Sequence, residues 1–282
     1  MRSQEDQVWY HVDVNSAYLS WTAAYRVCIL GEDLDLWDIP SVIGGSEAER
    51  HGIVLAKSGS AKRYGIRTGE TLAEARCKCP GLVIVPPDYS LYVSCSKALV
   101  ELLKKYFPHV HQYSIDEAFC RVEGTKGLWG THTAFAHQLK EEIRRELGFT
   151  VNIGVSDCKL LAKMASEFQK PDQVHTLFTR EIERKMWPLP VNELFWVGPA
   201  TVRKLGALGI RTIGELAVMD LELLKRHLKK QGEFIWNYAN GRDVSPFLRE
   251  LPRNKGYGNS MTTPFDVTDR ETAWQVILSL TE

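Results

Sequence analysis

The sequence predicts an α+β fold, in which a sheet of a few strands is mixed in chain order with long amphipathic helices. Three observations predict it. Trp9–Val14 is a short, largely apolar run, the mark of a buried strand. Phe149–Ser156 places apolar residues at Phe149, Val151, Ile153 and Val155, the two-residue period of a strand. Between them, Pro86-Pro87-Asp88 launches a helix with Tyr92, Cys95, Leu99, Leu102, Leu103 and Tyr106 on one face, ended by Pro108. The order suggests a sheet with its helices on one face.

The remaining elements follow along the chain. After Val14, the spacing of Tyr18, Trp21, Ala24 and Cys28 predicts a helix. Gly31 to Asp88 is rich in Gly and Ser and reads as a small, partly irregular domain inserted into a larger one. Its one short helix, Thr71 to Cys79, is stopped by Pro80-Gly81. Tyr113 to Val122 reads as a hairpin whose turn region carries Asp116 and Glu117. Phe135, Leu139, Ile143 and Leu147 share a helical face, and Lys159 to Phe168 is helical. Residues 179–243 read as short helices: Ala200–Leu205, Thr212–Met219, Leu221–Leu228 and Phe234–Ala239. Pro246 to Lys255 has the composition of a linker, and Ser260 to Phe265 reads as a strand. Thr268 and Glu271 form a capping box that starts a last helix bearing Trp274, Ile277 and Leu278. That face has no later segment to cover it, so we expect a cut-off domain.

Composition excludes several classes. The 282 residues are 44% hydrophobic and 25% charged, as in an ordinary globular protein. No apolar run reaches the ~20 residues of a membrane span. The N-terminus MRSQEDQ lacks the pattern of a secretion signal, so cytoplasmic residence is expected. Lys plus Arg equals Asp plus Glu at 35 each, without the basic surplus usual in a nucleic-acid binder. Six scattered cysteines, with only Cys77 and Cys79 close together, fit small helix residues better than a zinc site.

The chemistry sits in two places: His11-Val-Asp13-Val-Asn15-Ser-Ala-Tyr18 at a strand end, and Tyr113-Ser-Ile-Asp116-Glu117-Ala-Phe119 on the hairpin. Neighbouring residues of a strand face opposite sides unless the backbone turns, and a turn or bulge can aim both carboxylates at one point. A third carboxylate on an adjacent strand completes a hard-oxygen site of the kind Mg²⁺ prefers. Each half alone has a plainer explanation: a turn or capping Asp, and a solvated acidic pair. Solvated surface does not explain the apolar and aromatic flanks Tyr10, Val12, Ile115 and Phe119.

Ser114-Ile-Asp116-Glu117-Ala-Phe119 resembles the second active-site motif of the Y-family DNA polymerases, the translesion enzymes. The strand ending near Asp13, followed by Tyr18, is similar to their first motif. Tyr64-Gly65-Ile66, Ala73–Pro80 and Pro86-Pro-Asp-Tyr89 with Tyr92 also fit, and the resemblance runs from about Val8 to the end. It implies a right-hand polymerase with a ferredoxin-like palm at 1–30 and 89–178 and small fingers at 31–88. A helical thumb follows at 179–245, then a linker at 246–255 and the start of a little finger at 256–282, truncated at the C-terminus. It implies that Asp13, Asp116 and Glu117 hold two Mg²⁺, with the Val14 carbonyl as a further ligand. Tyr18 would be a steric gate against the ribose 2′-hydroxyl, although a core aromatic fits the pattern equally. Asn15 replaces a second Asp of the family, and Ala17 stands at an aromatic position, which implies a roomier nucleotide pocket.

The resemblance gives Lys159, at a helix start, the role of holding the triphosphate, since anions bind at helix N-termini. Lys163, one turn on, reads as surface. In the fingers, Gly59 and Lys62 stand where many members carry Tyr and Arg. Lys62 supplies a charge without the bidentate fork of Arg, and Ser58 and Ser60 are candidate donors. These departures place the chain nearer polymerase V than polymerase IV. Val197 to Ile210 looks like a helix–hairpin–helix, with Trp196 at the usual first glycine. Gly198, Thr201 and Lys204 are its candidate DNA-phosphate contacts, and Lys225, Arg226, Lys229 and Lys230 form a basic cluster nearby. The implied partners are primer-template DNA, deoxynucleoside triphosphates, and a sliding clamp or recombinase reached through C-terminal sequence. Two other readings are a non-catalytic relative, which characteristically loses the carboxylates, and a nucleotide cyclase, which has no need of the hairpin.

Overall fold

The protein is described from a computed structural model, for residues 7–46, 52–123, 130–243 and 256–281. In chain order the elements are β1 (Gln7–Val14), α1 (Ala17–Cys28), β2 (Ser41–Gly44), β3 (Val54–Lys57), α2 (Gly59–Arg63), α3 (Leu72–Lys78) and β4 (Val83–Val85). Then come α4 (Tyr89–Lys104), β5 (His109–Gln112), β6 (Glu117–Glu123), α5 (His132–Leu147), β7 (Val151–Ser156), α6 (Lys159–Glu167) and β8 (Val174–Thr176). Last are α7 (Ile182–Lys185), α8 (Pro199–Ala207), α9 (Ile213–Val218), α10 (Leu221–Leu228), α11 (Lys230–Ala239) and α12 (Arg270–Thr281). The chain divides into two compact units, one of residues 1–15 and 93–245 and one of residues 16–92 and 246–282.

The first unit is built on a five-stranded sheet in the order β5-β6-β1-β7-β8. Leaving out β8, the chain order β1, α4, β5, β6, α5, β7 with β1 central is the ferredoxin-like arrangement. Neighbours are antiparallel except β7–β8. The apolar run of β1 has its reason here, because the strand is covered on both faces. On one face Tyr10 packs 5.0 Å from Phe107 and 5.9 Å from Phe135 of α5, ring centre to ring centre. On the other, His11 Nδ1 lies 2.7 Å from Ser166 Oγ of α6. The expectation of helices on one face only is thus corrected: α6 crosses the opposite face. Gly154 permits the crossing, since a β-carbon there would stand 1.9 Å from the Ala162 carbonyl oxygen.

The inner face of α6 also joins the core of the short helices. Leu161, Met164, Leu177, Met186, Leu205, Ile213, Leu216, Leu224 and Ile235 form one buried cluster. The helices expected across residues 200–239 are α8 to α11, with Thr212–Glu215 as a capping box and Asp220 as N-cap.

The second unit is more regular than its Gly and Ser content suggested. It holds a three-stranded sheet in the order β3-β2-β4, with β2–β3 antiparallel and β2–β4 parallel. Val42, Val54, Ala61, Ile66, Leu72 and Ala75 form its core. Strands of three or four residues are too short to show a period, and α2 is a helix the sequence did not announce. Cys77 is exposed and Cys79 buried, both free.

Residues 260–265 are not a strand. Nor do Thr268 and Glu271 start α12. Asp269 does so, its carboxylate taking the Thr272 N–H at 2.8 Å and the Thr272 hydroxyl at 2.7 Å. An ionised cap with two donors outcompetes a threonine one residue earlier. Trp274, Ile277 and Leu278 are exposed, as expected. The expected linker at 246–255 lies outside the described residues.

Candidate active site

The strand register brings the two motifs together. Asp13 of β1 is paired directly with Glu117 of β6 and with Asn152 of β7. Asp13 and Glu117 therefore point from the same face of adjacent strands. The turn before β6 sends Asp116 elsewhere: its carboxylate accepts the Ser114 hydroxyl at 2.6 Å, while its carbonyl accepts the Val14 N–H at 3.1 Å. The third carboxylate gathered here is Glu167 of α6. Oxygens of Asp13, Glu117 and Glu167 all lie within 4.8 Å of one another, and Asp116 is not in that group.

Two lysines balance this cluster. Lys170 donates to Asp13 at 2.8 Å and pairs with Glu167 at 2.9 Å. Lys163 donates to Glu117 at 2.8 Å. The surface reading of Lys163 is corrected: it is 6% exposed, and its ammonium lies 5.5 Å from the Tyr113 ring and 5.0 Å from the Phe195 ring. Two aromatic faces and a carboxylate compensate for its lost water.

The two carboxylates are driven in opposite directions. Burial pushes the Asp13 carboxyl up to about 7, against the pull of Lys170. Burial also works to raise Glu117, but His11 and Lys163 outweigh it and hold it at about 2. His11 is fully buried, and burial lowers its pKa against the opposing pull of Glu117. Its Nε2 lies 3.8 Å from Glu117. Asn15 is structural: its side chain donates to Asn152 at 3.1 Å and accepts the Thr150 hydroxyl and the Asp172 N–H, each at 2.9 Å.

The other candidates lie as follows. Val14 is buried at the end of β1. Lys159 is the first residue of α6, its ammonium 4.6 Å from the Phe119 ring centre, and burial lowers its pKa. Gly198 is the N-cap of α8 and has Pro199 after it. Thr201 is half-buried, and Lys204 is exposed. In the second unit Tyr18 stacks on Tyr92, with ring centres 4.3 Å apart and planes 7° apart. Lys62 is exposed on α2. Ser58 and Ser60 are not free donors. Ser58 Oγ donates to the Ile39 carbonyl and accepts the Ser41 and Ala61 N–H groups, and Ser60 donates to the Asp38 carbonyl.

Glu167 and Lys170 were not singled out from sequence. A signal was present: Lys163, Ser166, Glu167 and Lys170 follow one another at helical spacing, a polar stripe on an apolar helix.

A ferredoxin-like sheet with facing carboxylates at its central strands, joined by a third from a crossing helix, defines a metal-dependent enzyme built on a polymerase-type palm. Residues 12–167 match the impB/mucB/samB family. The chain belongs to that family, the Y-family DNA polymerases. It is 50% identical over 277 residues to a DNA polymerase IV of Clostridium acetobutylicum, covering 98% of this chain and 69% of that protein. It is 40% identical over 279 residues to a DNA polymerase IV of Acetivibrio thermocellus, covering 98% of this chain and 68% of that one. Among solved structures, a Y-family DNA polymerase chimera superposes with a TM-score of 0.82 at 21% identity, over 97% of this chain and 78% of the other. DinB from Sulfolobus solfataricus superposes at 0.72 with 22% identity, over 85% and 68%. These names correct the placement nearer polymerase V: Gly59 and Lys62 are two positions of one short helix, while the likeness to polymerases named IV runs along nearly the whole chain.

Proposed function

We propose that this chain catalyses template-directed DNA synthesis across damaged positions, joining deoxynucleoside triphosphates to a primer. The observation that carries the reading is the convergence of Asp13 and Glu117 with Glu167 within 4.8 Å. The donor set fits Mg²⁺: oxygen ligands only, three carboxylates, and ammonium groups that a dication can displace. Asp13, Glu117 and the Val14 carbonyl would hold two such ions, with Asp116 joining by rotation away from Ser114. When bound, Mg²⁺ supplies Lewis acidity to the primer 3′-hydroxyl and countercharge to the leaving pyrophosphate. Lys163 and Lys170 offset the mutual repulsion of the carboxylates beforehand.

In this reading residues 1–30 and 89–178 are palm, 31–88 fingers, 179–245 thumb, 246–255 linker and 256–282 the first part of a little finger. Tyr18 lies under the incoming sugar and excludes a 2′-hydroxyl. Lys62 and Lys159 take triphosphate oxygens. Gly198, Thr201 and Lys204 take a DNA phosphate at the start of α8, without reading bases. A cytoplasmic location and recruitment by a sliding clamp or recombinase belong to the same proposal. Among the described residues no helix is long and apolar enough to cross a membrane.

Primer extension with Mg²⁺ tests this. Asp13→Asn, Glu117→Gln and Asp116→Asn should each abolish nucleotide addition while duplex binding persists. Glu167→Gln separates the candidates for the third carboxylate: if Asp116 rotates in, this variant keeps most of its activity. Wild-type rates from Asp13→Asn would sink the proposal. The non-catalytic alternative predicts no extension by the wild type.

A further inference from the structure

His11 is a polar residue in the middle of an apolar strand. Alternation puts it on the same face of β1 as Asp13. Its neighbours across the sheet are Phe119 of β6 and Gly154 of β7. Gly154 lets α6 lie close over this spot, since a β-carbon there would stand 2.6 Å from the Ser166 backbone nitrogen. The approach sets Ser166 Oγ 2.7 Å from His11 Nδ1. The Phe119 ring packs on the imidazole, 4.5 Å away centre to centre. Strand, helix and aromatic ring together fix the imidazole out of reach of water.

Its second nitrogen, Nε2, is buried without a hydrogen bond among the described residues. A buried polar atom left unmet is costly, so it calls for a reason. Glu117 Oε2 faces it at 3.8 Å, diagonally across the strand pair. That is somewhat too long for a hydrogen bond. The other oxygen, Oε1, accepts from Lys163 at 2.8 Å. Each oxygen of Glu117 thus has its own neighbour, an ammonium on a long arm and a ring nitrogen on a fixed strand. A dication can displace the ammonium, whereas the ring nitrogen stays in place.

The Ser166 hydroxyl decides what Nε2 presents. It carries one proton and has two acceptors in reach, His11 Nδ1 at 2.7 Å and the Lys163 carbonyl at 2.8 Å. Given to Nδ1, that proton leaves an N–H at Nε2 facing the carboxylate. Given to the carbonyl, with a neutral ring, it makes Nδ1 the donor and aims a lone pair of Nε2 at the carboxylate. The negative charge of Glu117 selects the first arrangement. A doubly protonated ring would present the same N–H.

We propose that His11 is a positioning residue for metal binding: its Nε2–H, set by Ser166, holds Oε2 of Glu117 and leaves Oε1 aimed at the ion. This rests on the polymerase reading above and adds to it a residue that touches neither metal nor substrate. A carboxylate that ligates a metal is ordinarily fixed by such a partner, whose loss costs roughly 10- to 100-fold in metal affinity.

The test is titration of the full chain with Mn²⁺, which accepts the same carboxylate ligands as Mg²⁺ and whose free ion is read by electron paramagnetic resonance. Glutamine can place an amide N–H where Nε2 stood, and asparagine only where Nδ1 stood. His11→Gln should therefore bind Mn²⁺ within about threefold of wild type, whereas His11→Asn and His11→Phe should bind about tenfold more weakly. The reverse ranking, with asparagine near wild type and glutamine weak, would make His11 a structural partner of Ser166 and overturn the proposal. Wild-type affinity in His11→Phe would overturn it as well. Ser166→Ala leaves the ring in place and decides the question should the His11 variants not fold. It should lose about threefold in Mn²⁺ affinity, and an unchanged affinity is the overturning result. A wild-type chain that binds no Mn²⁺ would bring down the polymerase reading itself, whereas Mn²⁺ binding indifferent to His11 and Ser166 would leave that reading standing.

Discussion

The carboxylate site on β1 and β6 and the α2 turn of the second unit both bury polar side chains, and they use them in opposite ways. At α2, Ser58 is nearly inaccessible, and its partners are the Ile39 carbonyl and the Ser41 and Ala61 N–H groups, all backbone. At the sheet, Asp13 and Glu117 are met by Lys170 and Lys163, the ends of long side chains. A hydroxyl satisfied by fixed backbone is committed to the fold. A carboxylate satisfied by an ammonium has a partner that another cation can replace. The comparison teaches that burial of a polar group does not mark a site until its partners are known.

The largest expected effect is at the sheet. Glu117→Gln should lower the rate of primer extension by roughly 10³-fold or more, because it removes a carboxylate that would hold the metal ions countering the developing negative charge. Its melting temperature should also fall, because Lys163 loses its charged partner, but activity per folded molecule should fall far more. A variant that loses stability and activity in proportion would make Glu117 structural, like Ser58, and dissolve the contrast.

Next is Tyr18→Ala. If the stacked pair Tyr18–Tyr92 serves the sugar pocket, the ratio of ribonucleotide to deoxyribonucleotide use should rise by about tenfold or more, since a clash is removed. An unchanged ratio with a lower melting temperature would make the stack a core feature. Ser58→Ala should do the reverse of Glu117→Gln. It removes a helix cap and unpairs buried groups, at a cost of about 2 kcal/mol, with turnover per folded molecule unchanged. Chemical denaturation combined with extension assays checks both.

The smallest effect is the pH dependence of stability in chelator. Asp13 ionises at about 7 in the fold against an ordinary 3.8, so the folded state holds its proton more tightly. Stability therefore falls as pH rises from about 4 to 7. Glu117 is held at about 2 against 4.5, so its contribution is present above 4.5 and is lost as pH falls toward 2. Asp13→Asn should flatten the first limb of a melting-temperature profile and Glu117→Gln the second. Identical profiles for the two variants would refute the opposed environments.

By itself the sequence determined the elements with a long period or a rigid boundary: β1, α4, β7 and the short helices after Leu177. It also singled out Asp13 and the Asp116–Glu117 pair as candidates, since acidic residues flanked by apolar and aromatic ones stand out without a structure. Strands β2 to β4 were not legible, because three or four residues carry no period. Only the tertiary structure decided which groups the carboxylates meet. Gly154 lets α6 cross the sheet, and that crossing brings Glu167 among the carboxylates and Lys163 under Glu117, contacts between residues about 50 to 150 positions apart. Asp116, adjacent to Glu117 in sequence, turns instead to Ser114 because the backbone bends before β6. Local pattern fixes which face a residue takes within its own element, and the packing of one element over another fixes its partners.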